Sequence, residues 1–301
     1  LLAGLWAAMW LMAGVSAWLP ALLAIPSGAL LVRLFMIQHD CGHNAFFSSR
    51  LANDWTGRVL GVLTLTPFDF WRHSHALHHA GSGNLGRRGI GDIDTLTVEE
   101  YLARGRWGRI KYRLYRHPLV MFGLGPSFLF LLQHRLPVGA TRLGRMPWLS
   151  TMLTNLGIAL LLALAISLMG VSTFLLLYLP MMVVGASIGV WLFYVQHQFE
   201  QTYWEQASDW SQPDAALHGS SFYDLPRWLM WLTGNIGIHH LHHLSSRIPF
   251  YRLPEALADY PELRAIGRLT LWQSLASVRL TLWDAGRRRM VPFAALRQRA
   301  A

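Results

Sequence analysis

Between Arg145 and Glu200 the chain reads MPWLSTMLTNLGIALLLALAISLMGVSTFLLLYLPMMVVGASIGVWLFYVQHQF (146–199), without one charged side chain. Crossing a hydrocarbon core takes about 20 predominantly apolar residues, so this run is long enough to cross twice. A helical hairpin over 149–196 is expected, turning near Gly170, Val171 and Ser172. Toward the N-terminus, residues 1–38 form a second apolar stretch in which Arg33 is the one charged side chain. It predicts another hairpin. Its break is expected at Pro20, since proline donates no N–H and disrupts a helix interior, with Pro26 near the start of the second helix, where it is tolerated. A buried helical pair in a soluble core is the competing reading, and the uncharged length argues against it. Residues 1–19 have no basic leader and no cleavage pattern, so they are not read as a signal peptide.

Composition agrees. Of 301 residues, 53% are hydrophobic and 14% charged, where soluble domains carry roughly 25% charged residues. Cys41 is the single cysteine, which leaves neither a disulfide framework nor a thiolate zinc site. The net charge of +10 is unevenly placed: Arg33 is the one Lys/Arg in 1–49, whereas 50–148 contain fourteen. Basic segments beside membrane spans stay on the cytoplasmic side. Two hairpins return the chain to one face, so 39–148 and 200–301 are expected to share it. The expected fold is an all-α integral membrane protein of four transmembrane helices, arranged as two hairpins under a cytoplasmic histidine-rich helical cap. It is read as one domain: 1–38, first hairpin; 39–148, first cytoplasmic region; 149–196, second hairpin; 197–301, second cytoplasmic region. The basic face suits anionic headgroups or an acidic redox partner. Nucleic acid is disfavoured because membrane-length apolar runs interrupt the basic residues and no recognition-fold signature accompanies them.

Within the cap, 51–66 (LANDWTGRVLGVLTLT) is amphipathic enough to lie in the membrane interface, with a short dip into the membrane as the alternative. The segment 222–233 (FYDLPRWLMWLT) reads as a second interfacial helix, its tryptophans fitting either the headgroup boundary or aromatic packing. Residues 85–118 are polar and basic, with Gly86, Gly89 and Gly91 marking a loop ahead of a helix at 97–115. Arg287, Arg288 and Arg289 read as a basic tail.

The fourteen histidines are clustered. His39 and His43 form HxxxH in HDCGH, where the second apolar stretch ends. His75, His78 and His79 form HxxHH in RHSHALHH, with His73 two residues earlier. His239, His242 and His243 repeat HxxHH in GIHHLHH, with His240 between them. Spacings of three and four stack the rings on one helical face. Neutral imidazole suits iron, zinc, copper and nickel, and eight rings exceed what one tetrahedral zinc uses. Two metals in a nitrogen-rich centre are the economical reading, since Asp40 is the one acid within a cluster. His197, alone at the end of the fourth apolar helix in FYVQHQFE, is a further candidate ligand. His117, His134 and His218 are left as surface or loop residues. Asn235 either holds a ligand water, braces a histidine or caps the third-cluster helix, and the cap is favoured.

With these strings in view, the chain resembles the membrane fatty-acid desaturases, recognised by three histidine boxes in this order on a four-span scaffold. The resemblance runs from Gln38 to about Pro254. HDCGHNAFF (39–47), WRHSHALHHAGSGNLGRRGIGDIDTLTVEEY (71–101), QHQFEQTYW (196–204) and GNIGIHHLHHLSSRIPFYRLP (234–254) are similar to acyl-lipid desaturases of the omega-6 (delta-twelve) kind. It implies that His39, His43, His75, His78, His79, His239, His242 and His243 hold two iron ions, with His197 where relatives place one more. Relatives carry an asparagine four residues before that histidine; here the position is Phe193, and Asn235 is the substitute considered. His73 and His240 fall beside box positions and are expected to support them, while Asp92 and Asp94 of GDID orient ligands through ring N–H groups or lie in a solvated loop.

The activity so implied is removal of two hydrogens from neighbouring methylenes of a fatty acyl lipid, with O2, two ferrous ions and electrons from a separate protein. Ferredoxin is the first expectation for the donor and cytochrome b5 the alternative. Regiochemistry and the acyl carrier, whether lipid, coenzyme A or carrier protein, stay open. Selectivity along a uniform hydrocarbon needs an apolar tunnel, because methylenes offer no hydrogen bonds to read. A hydroxylase, ketolase or alkane monooxygenase on the same scaffold is the nearest rival. A histidine-rich metal transporter is a rival of another class, although transporter sites sit near the bilayer midplane and these clusters lie at helix ends. HDCGH lacks the glutamate of HExxH zinc proteases. A bacterial inner membrane with the centre facing the cytoplasm is the expected location.

Overall fold

A computed structural model describes residues 1–89, 91–140 and 143–299. They form two compact units that interleave in sequence. Among the described residues, the first comprises those of 1–73, 122–190 and 232–234; the second comprises those of 74–121, 191–231 and 235–299.

The first unit is built from helices α1 (Leu2–Ala13), α2 (Trp18–Gly42), α3 (Arg50–Leu63), the start of α4 (Phe68–Gly81), α7 (Gly125–Leu131), α8 (Met146–Met169) and most of α9 (Val171–His197). Three of these, α2, α8 and α9, are long and apolar enough to span a membrane. The exposed Leu153, Leu156, Leu160, Leu164 and Leu168 of α8 suit hydrocarbon, where a helix satisfies its own backbone. The turn expected near Gly170 is there, Gly170 taking φ +77 while Val171 and Ser172 already belong to α9.

The first apolar stretch departs from expectation. Helix α1 has 12 residues, about 18 Å at 1.5 Å per residue, and the break falls at 14–17 rather than at Pro20. Pro20 lies in the first turn of α2, where a missing N–H costs nothing, and it is Pro26 that sits in the helix interior. Helices α1, α2, α8 and α9, with Leu65 from the turn after α3, share a core of Met9, Ala24, Leu31, Leu65, Ile158, Leu177, Met181 and Met182. Ser27 bonds Met9 Sδ and Trp6 Nε1 donates to Met181 Sδ.

Helix α3 is amphipathic as expected. Leu51, Trp55 and Val59 stand exposed at intervals of four, while Asn53, Gly57 and Gly61 are buried. A Cβ at Gly57 would lie 2.2 Å from the Phe68 ring, so the glycine admits that ring. Thr64 Oγ1 bonds Gln38 Oε1 at 2.6 Å, tying the end of α3 to α2.

The second unit carries the rest of α4 and α9 with α5 (Val98–Ala103), α6 (Arg106–Tyr115), α10 (Gln212–His218), α11 (Arg227–Leu232, its last residue in the first unit), α12 (His239–Leu244), α13 (Leu253–Asp259) and α14 (Leu271–Ser277). It is not all helix. Strands β1 (Leu96–Thr97), β4 (Leu282–Asp284) and β5 (Arg289–Val291) form one small sheet; β2 (Phe222–Asp224) and β3 (Arg268–Thr270) form another. The first joins β1 to β4 in parallel and β4 to β5 antiparallel; the second pairs Phe222 with Arg268 in parallel.

Three expectations are corrected in this unit. The segment 222–233 is a strand followed by a short helix, because Phe222 and Tyr223 are buried in a ladder. The helix expected at 97–115 is two, parted at Arg104 and Gly105, both extended, with Gly105 as the N-cap of α6. Arg287–Arg289 is not a tail: Arg287 and Arg288 turn between β4 and β5, Arg288 pairs with Glu205 and Arg289 with Glu200 at 3.0 Å.

Candidate metal centre

Box one belongs to the first unit. Helix α2 ends at Gly42, with His43 as its C-cap and Asn44 at φ +54, a left-handed residue that stops the helix. His39 and His43 therefore occupy its last turn, their rings 4.8 Å apart edge to face. Asp40 Oδ1 lies 3.1 Å from His39 Nδ1. Trp71 packs beside His39, and a Cβ on Gly42 would come within 2.9 Å of its ring. His73, also in this unit, has a buried Nε2 with no hydrogen-bond partner among the described residues.

Boxes two and three meet in the second unit. Helix α4 presents His75, His78 and His79 at spacings of three and four. The loop after α4 folds back because Gly91, at φ +73, lies where a Cβ would come within 3.3 Å of the Ser74 carbonyl and 3.4 Å of His78. That fold delivers the Asp92 carboxylate to His78 Nδ1. Asp94 is exposed; its amide bonds Tyr115 Oη and its carbonyl accepts from Arg116.

His197 is the last residue of α9, and its Nδ1 lies 3.1 Å from the Gly219 carbonyl. Box three occupies α12, and a second glycine decides its place: a Cβ on Gly237 would stand 2.4 Å from the Tyr223 carbonyl. The Tyr223 amide bonds Gly237 there, and the His240 amide bonds Ser221. His240 points away from the other rings, its Nε2 3.0 Å from the Leu263 carbonyl, and burial pushes its pKa down to about 4. The neutral ring thus donates to Leu263 and braces α12.

Asn235 does not cap α12, whose N-cap is Ile238. At φ +53 it turns the chain after α11, bonding Met230 through its amide and the Phe250 carbonyl through its side chain. The cap reading failed because the turn consumes the three residues between Asn235 and the helix.

His78, His197, His239 and His243 gather into one buried group whose candidate ligand nitrogens lie within 4.8 Å of one another. His239 Nε2 lies 3.0 Å from His197 Nε2 and 3.1 Å from His243 Nε2. Beside them, His79 Nε2 lies 3.2 Å from both His75 Nε2 and His242 Nε2. The two groups adjoin through His79 and His243, whose rings stack at 4.1 Å. Phe193 walls the four-ring group, its ring 5.1 Å from His78 and 5.2 Å from His197.

This arrangement fits metal ions. Two nitrogens bonded at about 2.1 Å to one ion and at right angles lie about 3.0 Å apart. His78 Nε2 is buried with no hydrogen-bond partner among the described residues, while its Nδ1 is held by Asp92, the pattern of a ligand oriented by an outer carboxylate. Burial first, then the surrounding imidazoles, holds His243 well below its ordinary pKa, and the neutral ring is the form that ligates.

The sequence reading missed Gly219 as a brace and Arg116 as a buried cation. The first acts through a backbone carbonyl, which side-chain patterns do not reveal. The second sat in an arginine-rich stretch, where one buried guanidinium looks like its exposed neighbours.

A protein with helices long and apolar enough to span a membrane and with imidazoles gathered where they could hold metal ions has the make-up of a membrane metalloprotein, and comparison with known proteins gives the family. The fatty acid desaturase family model matches residues 16–274. The chain is 46% identical to a fatty acid desaturase of Bacillus subtilis, over 98% of this chain and 83% of that one. It is 31% identical to the sn-1 oleoyl-lipid 12-desaturase of Synechocystis, over 75% of this chain and 64% of that one. The sn-1 acyl-lipid omega-3 desaturase (ferredoxin) of the same organism is 29% identical over 76% of this chain. The chain belongs to the fatty acid desaturase family, and it is an oxidoreductase acting on fatty acyl chains.

Proposed function

We propose that this protein holds two iron ions and places a cis double bond in an acyl chain carried on a membrane lipid. The observation that carries this reading is the adjoining pair of imidazole groups on α4 and α12. His78, His197, His239 and His243 are assigned to one ion; His75, His79 and His242 are assigned to the other. His39 and His43 are assigned to the second ion on the likeness of HDCGH to the family's first box. Bound iron with O2 supplies the oxidising power. Overall, one O2, two electrons, two protons and the two hydrogens of neighbouring methylenes become two waters and a carbon–carbon double bond.

The chain's own residues position and exclude. Asp92 sets the tautomer of His78, Asp40 steadies His39, the Gly219 carbonyl turns His197 inward, and His240 anchors α12. Phe193 keeps water from the rings it covers. Lipid-linked substrate is supported by the relatives named as acyl-lipid desaturases, and ferredoxin as electron donor by the relative whose name includes it. Cytochrome b5 is the second donor. The three membrane-length helices and the bacterial relatives support a multi-pass chain in a bacterial inner membrane, and the fourteen cations of 50–148 support a centre on the cytoplasmic face.

The test is gas chromatography–mass spectrometry of total fatty acids from cells expressing the protein and a His78→Ala control, with metal analysis of both. A new monoene or diene absent from the control, and two irons per chain in the parent, are the expected results. Hydroxylated or keto products would assign an oxygenase instead, and one zinc per chain would remove the di-iron reading.

A further inference from the structure

Helix α6 has an outward face that the metal centre does not use. Its inner face is fixed: Tyr112 is buried and its hydroxyl donates to the Thr281 carbonyl at 2.6 Å. Arg109 anchors the start of the helix, bonding the carbonyls of Arg104 and Leu102 at 2.8 and 2.6 Å. On the other side Trp107, Ile110 and Leu114, spaced by three and four and hence on one stripe, are 79%, 43% and 61% exposed. Helical geometry puts the exposed Arg106 and Arg113 along one edge of that stripe and the exposed Lys111 along the other. A large apolar stripe with cations on both borders is the signature of a helix lying in the plane of a membrane interface.

A second observation points the same way. Beyond α6 the chain runs into PLVMFGLGPSFLFLLQ (118–133), which has no charged side chain. Leu119, Leu124, Phe128 and Leu132 in it are each more than half exposed. A basic helix joined directly to such a run is placed by its own connection at a lipid boundary. A soluble acidic partner would account for the cations and leave Trp107, Ile110 and Leu114 unexplained. An anionic bilayer accounts for both, receiving the stripe at the acyl boundary and the cations at the phosphates.

We infer that the Trp107–Ile110–Leu114 face of α6 docks on an anionic lipid surface through Arg106 and Lys111, Arg113 being held by the Tyr101 hydroxyl at 2.6 Å and the Phe293 ring. The inference does not rest on the identity or number of the metals, and its readout is independent of activity.

Cys41 is the single cysteine, so a Cys41→Ser background allows one NBD label at a time on the full chain. Labels would be placed at Trp107→Cys, Ile110→Cys and Leu114→Cys, and at Arg106→Cys and Arg113→Cys. The labelled protein is reconstituted in liposomes of phosphatidylcholine alone or mixed with phosphatidylglycerol, with and without doxyl-lipid quencher. The expected result is a blue shift and about a twofold loss of emission at 107, 110 and 114 in the anionic liposomes. Weaker quenching is expected at 106 and 113. The double change Arg106→Glu/Lys111→Glu, read at 110, should reduce quenching to its phosphatidylcholine level without altering metal content. Water-like emission at all five positions in both lipids would overturn the inference. So would a signal at 110 that changes only when an acidic redox protein is added, since the face would then be a protein dock.

Discussion

The carboxylate of Asp92 is bonded to Nδ1 of His78, and this contact decides which nitrogen of the ring faces the other imidazoles. With the proton held at Nδ1, Nε2 is an unprotonated donor, buried and pointing where a metal would use it. The contact depends on Gly91, whose left-handed φ and close approach to α4 bend GDID back over box two.

Asp92→Asn preserves shape but removes the charge that favours this tautomer. It is expected to lower metal affinity by about 10-fold to 100-fold, with little effect on secondary structure. Asp92→Glu should recover part of the loss. Chelator competition on the purified variants measures this directly; unchanged affinity in Asp92→Asn would show that His78 needs no outer partner.

Arg116 is a buried cation whose hydrogen-bond acceptors among the described residues are all neutral. Its guanidinium donates to Tyr194 Oη at 3.1 Å, Gln198 Oε1 at 2.9 Å, the Leu280 carbonyl at 2.8 Å and the Asp94 carbonyl at 3.2 Å. It thereby joins the residue after His197 to the loop that carries Asp92. Arg116→Met leaves those acceptors unsatisfied and is expected to cost about 3 kcal/mol, with a matching loss of bound metal. Arg116→Lys keeps the charge without the planar fork and should fall between. Thermal unfolding in detergent with parallel metal analysis distinguishes the three.

How far could the sequence be read? The spans over 146–197 were legible because absence of charge needs no tertiary context, and the histidine spacings were legible because they sit on helices. Helix α1 was misjudged because Gly14 and Ser16 end it before Pro20 is reached, and apolar composition alone hides that break. Strand β2 was read as helix because its pairing with β3 lies more than forty residues away in the chain. At the centre, the histidines that gather were visible from their spacing, but Gly219 and Leu263 act through carbonyls that every residue possesses. Burial alone separates Arg116 from its basic neighbours.

His134 offers a pH test away from the metal centre. Burial, and secondarily the adjacent Arg135 cation, pushes its pKa from 6.5 down to about 4, and its Nδ1 is buried without a hydrogen-bond partner among the described residues. The folded ring therefore stays neutral where the unfolded ring takes up a proton. Its contribution is complete above about pH 6.5 and is lost progressively as pH falls toward about 4. The thermal midpoint of His134→Phe should decline less than that of the parent over this window. Parallel declines would show that this histidine does not carry the acid sensitivity.

Two glycines test how tightly α2 and α9 are packed. A Cβ on Gly28 would lie 2.7 Å from Val184 Cγ1 and 2.8 Å from the Gly185 backbone nitrogen, and a Cβ on Gly185 would lie 3.2 Å from the Gly28 carbonyl. Small residues at such a crossing let helix backbones approach within a membrane. Alanine is the better helix former by about 1 kcal/mol, so propensity favours Gly28→Ala while overpacking opposes it by about 1–3 kcal/mol. Because one obstacle is backbone and cannot rotate aside, overpacking should win, with a net loss near 1 kcal/mol and a far larger one for Gly28→Leu. Gly189 on α9 has nothing within 4 Å of its Cβ position, so Gly189→Ala meets no such obstacle and should gain stability. Opposite shifts in the detergent melting temperatures of the two alanine variants are expected; a gain in both would mean that the helices can separate at Gly28 without cost.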